Sequence, residues 1–108
     1  MWLFMNDAFV SIVDKGGDRS TLLVRGRHAG DIERVFPGAK VERTPARDYL
    51  FRARVSRAEV AERIAERLRG IEYPNFKASV KEVDRHDAYV GVWGEMNEWQ
   101  ERAQAAVR

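Results

Sequence analysis

Asp48-Tyr-Leu-Phe-Arg-Ala-Arg-Val-Ser-Arg-Ala-Glu59 holds two periodicities back to back. From Asp48 to Val55 the pattern alternates as in a β-strand, putting Tyr49, Phe51, Ala53 and Val55 on one face and Asp48, Leu50, Arg52 and Arg54 on the other. At Ser56 the period changes. Ser56-x-x-Glu59 is a capping box, Val60, Ala61, Ile64, Ala65 and Leu68 then form a buried helical stripe, and Gly70 is the stop. On the outer face of this helix Glu59 is expected to meet Arg63, and Glu66 to meet Arg69. A strand that runs directly into an amphipathic helix indicates an α+β domain with helices packed on one face of a sheet.

Working outward, Ala8-Phe-Val-Ser-Ile-Val-Asp14 and Thr21-Leu-Leu-Val-Arg25 are β-patterned segments joined by Lys15-Gly-Gly-Asp-Arg-Ser20, a hairpin. Gly16-Gly17 is a turn and not a phosphate loop, since no Gly-Lys-Ser/Thr or third glycine completes it. The apolar start, Met1 to Met5, reads as a first strand and lacks the basic flank of a signal peptide. A short helix is predicted between His28 and Phe36, with Ile32, Val35 and Phe36 inward and Pro37-Gly38 ending it. Lys40 to Arg43 is extended. Tyr73-Pro-Asn-Phe76 connects to a short helical or irregular piece, Lys77 to Val83, with Phe76 as a core anchor.

From Asp84, as cap, a longer helix repeats Tyr89, Val92, Trp93, Met96, Trp99 and Ala103 at three and four residues. Trp93 and Trp99, six residues apart, are expected to wrap a wide core-facing surface, the alternative being that one of them is partly exposed and available to a partner. Gly91 and Gly94 are expected where another element approaches closely, and residues 103–108 as a frayed end. The principal order is ββαβαα: a small antiparallel sheet with helices on one face, of ferredoxin-like character, in one domain over residues 1–108.

The 108 residues bear 19 bases and 17 acids, a net 19 − 17 = +2. Divided along the chain, residues 1–18 carry 1 − 3 = −2, residues 19–69 carry 13 − 7 = +6, and residues 70–108 carry 5 − 7 = −2. Strand alternation turns that central excess into a location. If Leu22 and Val24 face the helices, then Leu23, Arg25 and Arg27 face away, beside Leu50, Arg52 and Arg54. Arg25, Arg27, Arg52, Arg54 and Leu50 are therefore the candidate partner-binding residues.

These segments resemble a group of small proteins of high-GC bacteria and their phages. The resemblance is carried by Phe9-Val-Ser-Ile-Val13, Leu22-Leu-Val-Arg-Gly-Arg27, Asp31-Ile-Glu-Arg-Val-Phe-Pro-Gly38, Asp48-Tyr-Leu-Phe-Arg-Ala53, Asn75-Phe-Lys77 and Arg85-His-Asp-Ala-Tyr89, followed by Val92-Trp93. It spans nearly the whole chain. That group has no assigned activity, so the resemblance implies a setting, the bacterial or phage cytoplasm, and carries over no catalytic residue. Phage proteins of this size are often inhibitors of host defence, anti-CRISPR proteins among them, which implies a protein partner.

Catalytic chemistry finds little support. With no cysteine and only His28 and His86, the chain lacks a metal-ligand pattern, and no cofactor is implied. The missing cysteine also suits a reducing cytoplasm. His86 beside Asp87 could serve as a general base with its orienter, but adjacent helix residues point apart. No serine sits in a nucleophile elbow. No stretch approaches the roughly 18 apolar residues of a membrane span. The expectation is a non-catalytic protein that engages an acidic protein surface through the arginine-bearing face. Nucleic-acid binding through the same residues is the alternative, and a small enzyme using His86 the second. A homodimer through Leu23 and Leu50 is a further option.

Overall fold

A computed structural model describes residues 1–107. The chain forms two compact units, Met1–Glu72 and Tyr73–Arg108.

The first unit is an α+β arrangement built on a five-stranded sheet in which every neighbouring pair is antiparallel. Its strands are β1 (Trp2–Phe4), β2 (Phe9–Val13), β3 (Thr21–Gly26), β4 (Glu42–Arg43) and β5 (Phe51–Ser56), in the spatial order β1-β2-β3-β5-β4. The principal strands of the sequence reading are β2, β3 and β5. Two short strands extend the sheet at its edges: β1, from the apolar start, and β4, from the extended 40–43 segment.

Helices α1 (Asp31–Val35) and α2 (Arg57–Arg69) cover one face. The core gathers Val10 and Ile12 from β2, Val24 from β3, Ala53 and Val55 from β5, Ile32, Val35 and Phe36 from the α1 segment, and Val60 from α2. Alternation alone selects these residues, since Ile12, Val24 and Ala53 are direct cross-strand partners. The α2 cap forms as the capping box requires, with the Glu59 amide donating to Ser56 Oγ at 3.1 Å. Two expectations for α2 are corrected. Leu68 is exposed because it lies in the last turn, beyond the edge of the core, and Ala61 is exposed as well. The surface ion pairs that form are Arg63–Glu66 and Arg69–Glu62, each at 3.5 Å.

Polar pins fix α1 and α2 to this sheet. Asp31 is 1% exposed and its carboxylate accepts from the Phe9 amide at 2.9 Å and from Arg34 Nη1 at 2.8 Å. Arg67 of α2 donates to Asp7 at 2.6 Å and to the Arg34 carbonyl. Arg57 donates to Asp14 and to the Arg19 carbonyl. Three of the central arginines therefore serve the scaffold.

The second unit comprises α3 (Phe76–Ser79) and α4 (Val83–Val107). Asn75 caps α3, its side chain accepting from the Ala78 amide at 2.9 Å. Phe76 stacks on Tyr89 of α4, ring centres 5.7 Å apart, and the buried Arg85 donates to the Tyr89 hydroxyl and to Glu82. Four expectations for this region are corrected. Helix α4 begins at Val83, so Asp84 lies inside the first turn, where its carboxylate accepts from the Arg85 amide. The helix continues through Val107, so 103–107 are helical, while residue 108 lies outside the described residues. Trp93 and Trp99 are both exposed, at 54% and 59%: beyond Tyr89 the short α3 reaches α4 through Lys77, whose ammonium stands 4.3 Å from the centre of the Trp93 ring, and that single side chain leaves most of both indoles uncovered. A Cβ at Gly91 or Gly94 would meet open space, and neither glycine marks a close approach.

Candidate anion-binding face

The face of the sheet opposite α1 and α2 is reached through its registers. Trp2 pairs with Ser11, Ser11 with Arg25, Arg25 with Arg52, and Arg52 with Glu42. Paired residues project to the same side, so these five side chains form one row across all five strands, stepped by about 4.8 Å. The neighbouring rows contain Phe4 with Phe9, and Val13 with Leu23 and Arg54. The alternation reading of Leu23, Arg25, Arg52 and Arg54 as one face is therefore matched strand by strand.

Burial on this face is uneven. Arg52 is only 8% exposed; Nη2 donates to Asp48 at 3.1 Å, while Nε and Nη1 are buried with no hydrogen-bond partner. Arg25 is half-buried and donates to Ser11 Oγ at 2.8 Å, its Nε likewise buried without a partner. Arg27 is exposed and donates to the Asp48 carbonyl, and Leu50 is exposed. Arg54, also exposed, donates to the Lys15 carbonyl in the β2–β3 turn. A glycine at position 16 leaves room for the guanidinium in this arrangement. Gly16 has φ +118°, and a Cβ there would collide with the Arg54 side chain.

Tyr49 corrects the sequence reading. Alternation from Asp48 placed it with Phe51 on the core face; Phe51 does pack there, but β5 begins at Phe51 and Tyr49 precedes it in a bend. The bend is tied by Thr44, whose amide bonds the Leu50 carbonyl and whose hydroxyl bonds the Tyr49 carbonyl. Tyr49 is thereby turned under the arginines, with Arg25 at 4.5 Å and Arg27 at 4.0 Å from its ring centre. Its ring is 3% exposed and closed to outside stacking.

Beside Arg52 the face dips into a groove of about 580 Å³, whose walls carry five cations, Lys15, Lys40, Arg47, Arg52 and Arg54, against one acid, Glu42, a balance of 5 − 1 = +4. Arg52 has one single-point carboxylate contact where a buried guanidinium ordinarily has its remaining N–H groups hydrogen-bonded as well. At the other end of the face Trp2 is 65% exposed and stands edge-on to Phe9 at 6.4 Å, with Phe4 against Phe9 at 4.6 Å. Sequence reasoning passed over these three aromatics. Their signal was present: with Leu3 and Val10 inward, period two turns Trp2, Phe4 and Phe9 outward. Lys15, Lys40 and Arg47 come from turns and loops, where no periodicity announces them.

The remaining candidate, His86, belongs to α4. Its Nδ1 lies 3.2 Å from Asp87 Oδ1, so the two do pair, contrary to the expectation from their adjacency. Both side chains are solvated, at 40% and 73% exposure, so the contact is that of a surface pair. Among the described residues no three His, Cys, Asp or Glu side chains converge to hold a metal ion, and no helix is long and apolar enough to cross a membrane. Comparison of the chain with known protein families, with curated proteins and with solved structures finds no match.

Proposed function

We propose that the protein is a non-catalytic binding protein whose open sheet face takes an anionic partner, and that this partner is single-stranded nucleic acid. One observation carries the reading: an exposed indole, Trp2, begins a cross-strand row that runs through Arg25 to Arg52, where the opposite end of the face opens into a groove lined by five cations. Stacking on an aromatic contributes about 1–3 kcal/mol per base whatever the base, while a cationic groove follows the phosphates. Nucleic acid moves ahead of an acidic protein surface because the outward aromatics are Trp2, Phe4 and Phe9, which lie on the arginine face.

The test is titration of heterogeneous single-stranded oligonucleotides at low and moderate salt. Affinity should fall with salt, with a log–log slope of roughly 0.7 per phosphate contacted. Arg47→Glu and Arg54→Glu should weaken binding and flatten that slope. Trp2→Ala should weaken it about 5- to 150-fold with the slope kept. Absence of binding at low salt overturns the reading.

A second reading, an acidic protein surface, is favoured by exposed Leu50, which lies close in sequence to Arg52 and Arg54 and adds an apolar contact to the arginines. It predicts a host protein complex captured by the wild-type chain, lost on Arg54→Glu, and no salt-steep affinity for oligonucleotides.

A further inference from the structure

Apart from Val83 and Val90, the large apolar residues of helix α4 fall along one stripe, and the stripe is divided. Its start is closed within the second unit, where Tyr89 is buried and stacked on Phe76. From Val92 onward it is largely open: Val92, Trp93, Met96 and Trp99 are all exposed, Lys77 of α3 stands over the Trp93 ring at 4.3 Å, and Trp93, Met96, Trp99 and Ala103 line a shallow groove of about 360 Å³. Trp93 and Trp99 are six residues apart, about 600° of helix, which leaves them about 120° apart around the axis with Met96 between them. The two rings thus form the walls of one stripe and Met96 its floor. The open part, residues 92–107, is about 24 Å long.

We infer that this half of α4 pairs antiparallel with the same half of α4 in a second copy of the chain. Three observations select that occupant. First, Val92, Met96, Trp99, Ala103 and Ala106 follow one another at spacings of 4, 3, 4 and 3, the seam of a two-helix coiled coil. Second, residues 92–107 carry one base, Arg102, against Glu95, Glu98 and Glu101, and even with Lys77 over Trp93 the balance of this surface is 2 − 3 = −1, which disfavours an anionic bilayer or a nucleic acid as cover. Third, the flanks differ. Glu95 and Arg102 lie along one side, seven residues apart, while Asn97, Gln100 and Gln104 lie along the other. An antiparallel pair brings like flanks together, so Glu95 faces the copy's Arg102 on both sides of a centre near Trp99, and neutral amides meet amides. A parallel pair would waste that complementarity by setting Glu95 against the amide flank.

Sedimentation of the full chain across a concentration series is the test. The wild type should pass from monomer to dimer. Met96→Glu, at an exposed position that leaves the monomer's helix intact by circular dichroism, should abolish the dimer. Glu95→Arg alone and Arg102→Glu alone should each raise the dimer dissociation constant about five- to tenfold, since each reversal disrupts two symmetry-related pairs. The double reversal should restore it. A chain that remains monomeric at its highest soluble concentration, or a dimer indifferent to Met96→Glu, overturns the proposal. A dimer that both single reversals leave unchanged, or that the double reversal fails to restore, overturns the antiparallel arrangement.

Discussion

Arg25 of β3 and Arg52 of β5 are direct cross-strand partners, two like charges set opposite each other on the open face. Such a pair is destabilising unless each member is drawn elsewhere. Here Arg25 turns to Ser11 and the Tyr49 ring, and Arg52 to Asp48. Because Arg52 is buried with two unpartnered nitrogens, Arg52→Met should leave stability unchanged or raise it, while Asp48→Ala, which strips the guanidinium of its carboxylate, should cost about 2–3 kcal/mol. Urea denaturation of the two variants gives the comparison. If Arg52→Met is instead strongly destabilising, the guanidinium has structural partners beyond those described.

Asp31 is the buried carboxylate that ties α1 to β2. Asp31→Ala would leave the Phe9 amide without its acceptor and Arg34 with only the Asp7 carbonyl, and should cost about 2–4 kcal/mol. The urea midpoint should drop with the slope unchanged. A loss below about 0.5 kcal/mol would mean that water replaces the carboxylate without penalty.

Gly16→Ala meets two obstacles, a left-handed φ and the Arg54 guanidinium. It should destabilise by more than the roughly 1 kcal/mol of backbone strain alone. Adding Arg54→Ala should recover the steric part and leave the strain. Equal stability of the single and double variants would show that Arg54 simply moves aside.

Gly94→Ala should act in the opposite direction. The site is helical and open, so the substitution should stabilise the second unit by about 0.5–1 kcal/mol. It lies away from the Met96 stripe and should leave self-association unaltered. Thermal unfolding followed by helix ellipticity is the readout.

Asp18 sits in the β2–β3 turn with its carboxylate below the ordinary aspartate range, chiefly because the Ser20 hydroxyl bonds it and also through the Ser20 amide. A depressed folded-state value means that the turn's contribution is present above the unfolded-state pKa, about 3.9, and is lost as pH falls through the folded value. Ser20→Ala should move the Asp18 titration, followed by carboxyl NMR shifts, up toward the ordinary range. An unmoved titration would assign the depression to the amide alone.

Much of the arginine face was legible in the sequence because strand period is a backbone property that tertiary context rarely alters. Leu23, Arg25, Arg52 and Arg54 followed from counting in twos, as did the core set Val24, Ala53 and Val55. Tyr49 did not, because the alternation was carried two residues past the point where Thr44 bends the chain. Arg52 reads as solvent-facing from its side of the strand. Its burial follows from the loops around the groove, which no pattern in residues 48–55 encodes. The helical period of α4 was equally legible, but a period states which residues share a side and leaves open whether anything covers them. A core position for Trp93 and Trp99 requires that missing information, and their exposure shows that periodicity does not carry it.

The strand order β1-β2-β3-β5-β4 has a consequence for biosynthesis. Every residue of the open face lies between Trp2 and Arg54, and the core behind it is complete by Ile64. Chains leave the ribosome amino-terminus first and fold unit by unit. The sheet can therefore present Trp2 and its arginines while α4 is still being translated, so that a partner gains access to a nascent chain before self-association through α4 becomes available.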